Sequence, residues 1–276
     1  MHPMLNVATQ AARKAGSLVI KYYEIVDSVI ASKKSMADFI RKLSCAANHS
    51  MIDVIHKYYP QHVITNKEKS IVVGKDATVQ WIIDPLDGKT NFTKRLPHFA
   101  ISIVVYIKGR TAVSTIYDPI RNELFTATRG YHSQLNGYRL RSSSVRTLDH
   151  AVLAPGFLFQ QEQNLNGYAT LANELFIQCA DFRRTGSTIL DLAYVAAGRM
   201  DGFFKFGLNY LDFAGAELLV REAGGLITEL TGEDYDCLLP GNLIAGNPCI
   251  IKAILSVLKN KFRKKSRNSH HLLFDN

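Results

Sequence analysis

The chain has 276 residues, 47% of them hydrophobic and 21% charged, a balance that supports one large globular domain or two fused smaller ones. Its formal charge is +9. No run of 18 apolar residues occurs, which excludes a membrane-spanning helix, and Met1-His2-Pro3-Met4-Leu5 lacks the basic and apolar regions of a secretory leader, so a cytoplasmic location is expected.

Leu5, Ala8, Ala12, Ala15, Val19 and Tyr22 recur at helical spacing and predict a helix over 3–24, with Pro3 in its first turn. Asp38 reads as the cap of a second helix running to about Tyr59, with Phe39, Leu43, Ala46 and Ile55 on its apolar side. Pro60 stands just beyond, where a helix should stop. The period then changes. Val79 to Ile83 is a short apolar run ending in Asp84-Pro85, and residues 99–107 and 111–117 read as a hairpin joined by Lys108-Gly109-Arg110. A further strand is predicted over 122–128, and Asn136-Gly137 marks a tight turn.

Beyond about residue 145 strands and helices alternate. The pattern predicts strand 150–154, helices 164–179 and 187–198, strand 202–206, helix 212–223, strands 225–229 and 242–245, and helix 248–260. The whole reads as an α+β half, 1–145, fused to an α/β half, 146–260, followed by a basic disordered tail over 261–276. Six basic residues and no acid lie between Lys259 and Arg267, so residues 259–276 hold a net +5 and the body +4. Such a tail is solvated by default, and a basic cluster also suits RNA phosphates. Cys45, Cys179, Cys237 and Cys249 form no C-x-x-C pair and read as separate, buried, reduced thiols.

The sharpest motif is Trp81-Ile82-Ile83-Asp84-Pro85-Leu86-Asp87-Gly88. Two carboxylates three residues apart at the end of an apolar strand can face one hard cation, with a backbone carbonyl between them as a further oxygen ligand. Gly88-Lys89-Thr90-Asn91 can start a helix whose free N–H groups receive phosphate. Asp-Pro and Asp-Gly are also ordinary turn dipeptides, so the residues alone leave both readings open. Gly88-Lys89-Thr90 does not complete a nucleotide-binding P-loop, because Ile83 stands where that motif needs Gly. No G-x-S-x-G elbow or G-x-G-x-x-G fingerprint is present.

Asp84-Pro85-Leu86-Asp87-Gly88 with Thr90-Asn91-Phe92 resembles the first signature of the inositol monophosphatase family, and Leu211-Asp212-Phe213-Ala214 through Gly224-Gly225 resembles the second. Asp181 to Ser187 and Asp191 to Gly198 match the family between them, and stretches 95–99, 118–130 and 214–225 resemble its bacterial SuhB branch. The resemblance spans residues 1 to about 258. It implies a layered αβαβα sandwich, a homodimer or monomer–dimer equilibrium, and Mg²⁺-dependent hydrolysis of phosphate monoesters such as inositol-1-phosphate. By position, Asp84, Leu86 through its carbonyl, Asp87 and Asp212 would be metal ligands. Gly88 and Lys89 would face the phosphate, and Arg183 would lie near the substrate. The SuhB branch also implies a role with Nus factors and RNA polymerase in ribosomal RNA antitermination and maturation.

Against that family pattern the chain carries lysines at chemical positions. Lys67-Glu68-Lys69 aligns with a Glu-Glu-Ser segment whose first glutamate ligates metal and orients water. A protonated lysine has no lone pair and does neither; a one-residue gap would bring Glu68 into that role. Lys89 replaces a threonine, Lys205 a glutamate near the substrate hydroxyls, Ser44 an aspartate of the second helix, and Leu211 a tryptophan. The formal site charge therefore moves from −6 in the family pattern to 0 over Ser44, Lys67, Asp84, Asp87, Lys89, Lys205 and Asp212. Unit charges about 5 Å apart at an effective dielectric of roughly 20 interact by about 3 kcal/mol, doubled for a divalent ion. Weakened Mg²⁺ binding and weak or lost catalysis are expected. Two readings of the lysines stay open: ammonium groups standing where metal would sit, or long side chains reaching solvent. The functional alternatives are a working Mg²⁺-dependent phosphatase and a metal-free binder of anions or RNA.

Overall fold

Alternation along the middle strands sorts side chains onto two faces. In the predicted hairpin Ile101, Ile103 and Val105 face one side, while Ala100, Val104 and Tyr106 face the other. The computed structural model describes residues 2–32, 35–66, 72–156, 165–208, 212–234 and 241–271. Its first part contains α1 (Pro3–Glu24), α2 (Val26–Ala31), α3 (Met36–Tyr58), β1 (His62–Asn66), β2 (Val72–Val73) and β3 (Asp76–Asp87). A short α4 (Lys89–Thr93) leads into β4 (Ala100–Ile107), β5 (Arg110–Asp118), β6 (Glu123–Thr128), β7 (Gln134–Leu135) and β8 (Tyr138–Arg139). These strands form one sheet in the order β2-β1-β3-β4-β5-β6-β7-β8, antiparallel except for the β1–β3 pair.

After a 3-10 turn at Leu148–His150 come β9 (Val152–Gly156), α5 (Leu165–Gln178), β10 (Asp181–Phe182), α6 (Thr188–Ala196) and β11 (Gly202–Leu208). The chain continues through α7 (Ala214–Glu222), β12 (Leu226–Thr228), β13 (Gly241–Gly246) and α8 (Pro248–His271). The second sheet has the order β10-β9-β11-β13-β12, parallel through β10, β9 and β11 and antiparallel beyond.

Three cores stack these elements into five layers. α1 and α3 cover one face of the first sheet, burying Ala8, Ala12, Leu43 and Met51 against Trp81, Ile83 and Ile103. α6 and α7 fill the space between the sheets, where Leu190, Leu219 and Phe213 meet Ile116 and Phe125 on one side and Phe203 and Ala245 on the other. α5 and α8 cover the outer face of the second sheet, with Leu171, Leu175, Ile250 and Ile254 against Leu153, Phe204 and Ile244. The αβαβα sandwich is the architecture the family resemblance implies, with the α+β and α/β halves read from the pattern as its two parts. α6 is apolar on both flanks, as a helix enclosed by two sheets must be.

Several elements depart from expectation. α3 begins at Met36 because Ser35 is its cap, accepting from Asp38 N at 3.3 Å, and Asp38 lies in the first turn. α2 and β1 have no counterpart among the elements expected from the sequence, β1 being too short to announce itself after Pro60. α8 continues beyond residue 260 to His271, through most of the segment expected as a disordered tail; no Gly or Pro after Pro248 interrupts it. Cys45 and Cys249 are exposed rather than buried, Cys179 is half-buried, and these three are unbonded; Cys237 lies outside the described residues. No helix of the described residues is long and apolar enough to cross a membrane.

Candidate active site

β3 ends in an irregularity that makes the site. Residues three apart on a regular strand point to opposite faces, so Asp84 and Asp87 would diverge. The pairing with β4 is regular to Asp84–Ser102, then shifts, and resumes at Asp87–Ala100. Pro85, which has no N–H for the ladder, occupies the shift. Both carboxylates consequently line one cavity of about 260 Å³ at the ends of β1 and β3, together with Asn66, Leu86, Gly88 and Lys89. Ser44 and Asn48, one turn apart on α3, close one side, and Gly186 closes another.

Backbone geometry fixes the rim. Gly88 has φ of 83° and turns the chain from β3 into α4; a Cβ there would press on His98 O at 3.0 Å and on Phe99. Asn91 Nδ2 donates to the carbonyls of His98 and Thr185, each at 2.8 Å, and so holds the 185–187 loop against α4. Asp84 is buried, and its Oδ1 accepts from Leu86 N at 3.1 Å. Asp87 Oδ2 accepts from Ser187 Oγ at 2.6 Å and Ile189 N at 3.3 Å, which places that carboxylate at the N-terminus of α6.

Behind the rim lies Asp191, 4% exposed, accepting from Thr185 Oγ1 at 2.6 Å. Burial pushes its carboxyl up to about 7; the Thr185 hydroxyl and Lys205 pull it down, and Asp87 raises it further. The Lys205 stem lies across Gly156, and its Nζ donates to Thr188 Oγ1 at 2.9 Å.

The structure thus brings together Ser44, Asp84, Leu86, Asp87, Gly88 and Lys89 of the residues singled out in the sequence. Arg183, Lys205 and Asp212 are not among the residues lining the cavity. Arg183 pairs with Asp181 and donates to Phe182 O at 3.0 Å, which directs it along its own strand. Asp212 is half-buried just before α7. Lys67, Glu68, Lys69 and Leu211 lie outside the described residues. Asn48, Asn66 and Ser187 are not among the site residues expected from the sequence. Asn48 was accessible through its helical spacing from Ser44, and Ser187 as the cap of a predicted helix.

Magnesium prefers a near-octahedral oxygen shell shared among carboxylates, water and substrate phosphate. Asp84 and Asp87 offer two carboxylates, but one Asp87 oxygen is committed to Ser187 and Ile189, and Lys89 stands on the same wall. Among the described residues no three His, Cys, Asp or Glu side chains converge as a metal cluster. The described residues therefore do not fit a catalytic arrangement with several magnesium ions.

The inositol monophosphatase family model matches residues 1–269. The Nus factor SuhB of Escherichia coli (strain K12) is 57% identical over 261 residues, covering 95% of this chain and 97% of that protein. The Nus factor SuhB of Vibrio cholerae is 46% identical, covering 94% of this chain and 97% of that protein. Among solved structures, the extragenic suppressor protein suhB from Bartonella henselae superposes with a TM-score of 0.83 at 32% identity, covering 93% of this chain and 98% of that one. Inositol monophosphatase from Anabaena superposes with a TM-score of 0.79 at 31% identity, covering 93% and 95%.

Proposed function

The chain belongs to the inositol monophosphatase family, and on that premise we propose that it works as a SuhB-type Nus factor in ribosomal RNA antitermination and maturation, with its phosphatase chemistry weak or lost. The observation that carries this reading is the 57% identity to a Nus factor SuhB along nearly the whole chain. The proposed partners are Nus factors and RNA polymerase, with RNA contacts through the basic C-terminal segment.

The cavity supports the second clause. Catalysis of phosphoryl transfer by Mg²⁺ depends on carboxylates that hold the ion, position water and stabilise the leaving oxygen. Here two carboxylates share the wall with Lys89, and one is partly occupied as a helix cap. Mg²⁺ binding is accordingly weakened. A surface that docks to the transcription machinery has no need of those groups, so it can persist while the cavity changes. The presence of both Asp84 and Asp87 in the cavity favours, as the second reading, a residual Mg²⁺-dependent inositol-1-phosphate phosphatase.

The test has two arms. In a bacterium depleted of its own SuhB, this chain should restore read-through of a ribosomal antitermination reporter. Purified chain should hydrolyse inositol-1-phosphate no faster with Mg²⁺ than without, while Lys67→Glu/Lys89→Thr/Lys205→Glu gains Mg²⁺-dependent turnover. Failure to restore read-through, together with clear Mg²⁺-dependent turnover by the parent, would replace this reading by the phosphatase.

A further inference from the structure

A second cavity, of about 510 Å³, lies away from the metal motif, where the start of α1 meets β6 and β7. On β6 Phe125 and Ala127 face the central layer, so Thr126 and Thr128 face the α1 side, and both line this cavity. They are 7% and 8% exposed, and neither hydroxyl has a hydrogen-bond partner among the described residues. Thr115, in register with Thr126 on β5, adds a third hydroxyl that is buried without a partner. Gln134 stands beside Thr126 on β7 and completes the floor. From α1, His2 Nδ1 accepts from Met4 N at 3.3 Å, which leaves Nε2 as the N–H donor of that ring. At the flank, Tyr131 is 71% exposed, and its side chain has no ring or hydrogen-bond partner among the described residues. Its backbone is held: Tyr131 N donates to Thr128 O at 2.9 Å, and Gly130 N donates to Glu222 Oε1 at 2.8 Å.

We propose that this cavity binds one nucleobase of the adenine class, stacked on Tyr131 and recognised along its edge by Gln134 and Thr126. The described lining residues include no carboxylate, lysine or arginine, so neither a metal ion nor a phosphate finds a counter-charge there. What remains is hydrogen bonding, which suits an uncharged polar ligand. The flank favours a flat one, because bases stack on tyrosine and histidine rings and both Tyr131 and His132 are exposed at the rim. A glutamine amide sets a donor and an acceptor side by side, the pattern that pairs with the adenine edge, and threonine hydroxyls serve as either. Ligand pockets span roughly 300–1,000 Å³, and this volume lies within that range. The same chemistry accepts the base of a free nucleoside or of single-stranded RNA, and neither source depends on the phosphatase site.

Adenosine, which has no phosphate for the basic segment to hold, tests this on the full chain. NMR titration should show saturable binding that changes less than about twofold between low and high potassium chloride. Tyr131→Ala should weaken it about tenfold, the scale of one lost stacking contact, and Tyr131→Phe should keep it. Inosine, with a carbonyl in place of the adenine amino group, should bind several-fold more weakly to the parent, and Gln134→Leu should abolish that preference. If Tyr131→Ala does not fold, Gln134→Leu carries the comparison. Oligoadenylate that outbinds adenosine in high salt would identify the source as RNA, and equal affinity would identify a free nucleoside; either supports the site. No saturation in the millimolar range, affinity unchanged in a folded Tyr131→Ala, or ribose binding as well as adenosine would overturn the proposal.

Discussion

Ser187 Oγ donates a 2.6 Å hydrogen bond to Asp87 Oδ2, joining residues one hundred positions apart. Ser187 also caps α6 by accepting from Leu190 N at 3.3 Å, and Ile189 N reaches the same Asp87 oxygen. A carboxylate from the first sheet thereby seals the N-terminus of a helix in the central layer, where the helix dipole favours negative charge. Ser187→Ala removes cap and charge-assisted bond together and should cost about 2 kcal/mol in urea denaturation, with the m-value unchanged. A loss under about 0.5 kcal/mol would show that Ile189 N alone holds the carboxylate.

Asp191 predicts a pH dependence. Its folded pKa of about 7 lies above the ordinary 3.8, so the native state keeps the proton longer than the unfolded chain. Stability therefore falls as pH rises from about 4 to about 7, and the penalty is complete above that window. The interval from 3.8 to about 7 sets a ceiling of about 4 kcal/mol. Asp191→Asn keeps an acceptor for Thr185 and abolishes the titration. It should melt higher than the parent at pH 8, with the difference vanishing near pH 4. Melting curves that stay parallel across this range would assign the dependence to another group.

Gly186 has φ of 93°, and a Cβ there would sit 2.8 Å from Asn91 Oδ1. Gly186→Ala combines a left-handed backbone with displacement of the amide that bridges His98 and Thr185. The expected destabilisation is about 2 kcal/mol, read by urea denaturation. Gly137, at φ of 87° with open space around it, separates the two causes: Gly137→Ala should lose only the backbone contribution, about 1 kcal/mol.

Lys261, Arg263, Lys264, Lys265 and Arg267 supply five positive charges beyond Leu258, a buried anchor of α8. Deleting 261–276 should leave the melting temperature unchanged. Affinity for single-stranded ribosomal leader RNA, measured by anisotropy across a potassium chloride series, should become less salt-sensitive. The slope of log K against log salt should fall in magnitude by up to about 3.5. An unchanged slope would place RNA contact elsewhere on the molecule.

Much of the layered fold was legible because its elements announce themselves by local period. The 3.6-residue spacing of α1, the hairpin around Lys108-Gly109, and the alternation after residue 145 each needed only neighbouring residues. Short elements were not legible: β1 pairs in parallel with β3 and owes its existence to that partner rather than to its own five residues. The site divides in the same way. Asp84, Asp87 and Lys89 stand in one contiguous motif, but their convergence depends on the pairing shift at Pro85, which follows from the neighbouring β4. Asn48, Ser187 and Gly186 come from distant segments, and only tertiary packing shows that they meet the motif.

The five-layer stack also has a consequence for how the molecule comes apart. α1 covers one outer face and α8 the opposite one, with two sheets and the α6–α7 layer between them. Layers packed about 10 Å apart put those outer helices about 40 Å from each other. A donor dye near the start of α1 and an acceptor at exposed Lys252 on α8 would span the full thickness of the protein. Separation of either sheet from the central helices would then dim energy transfer while every helix remained wound.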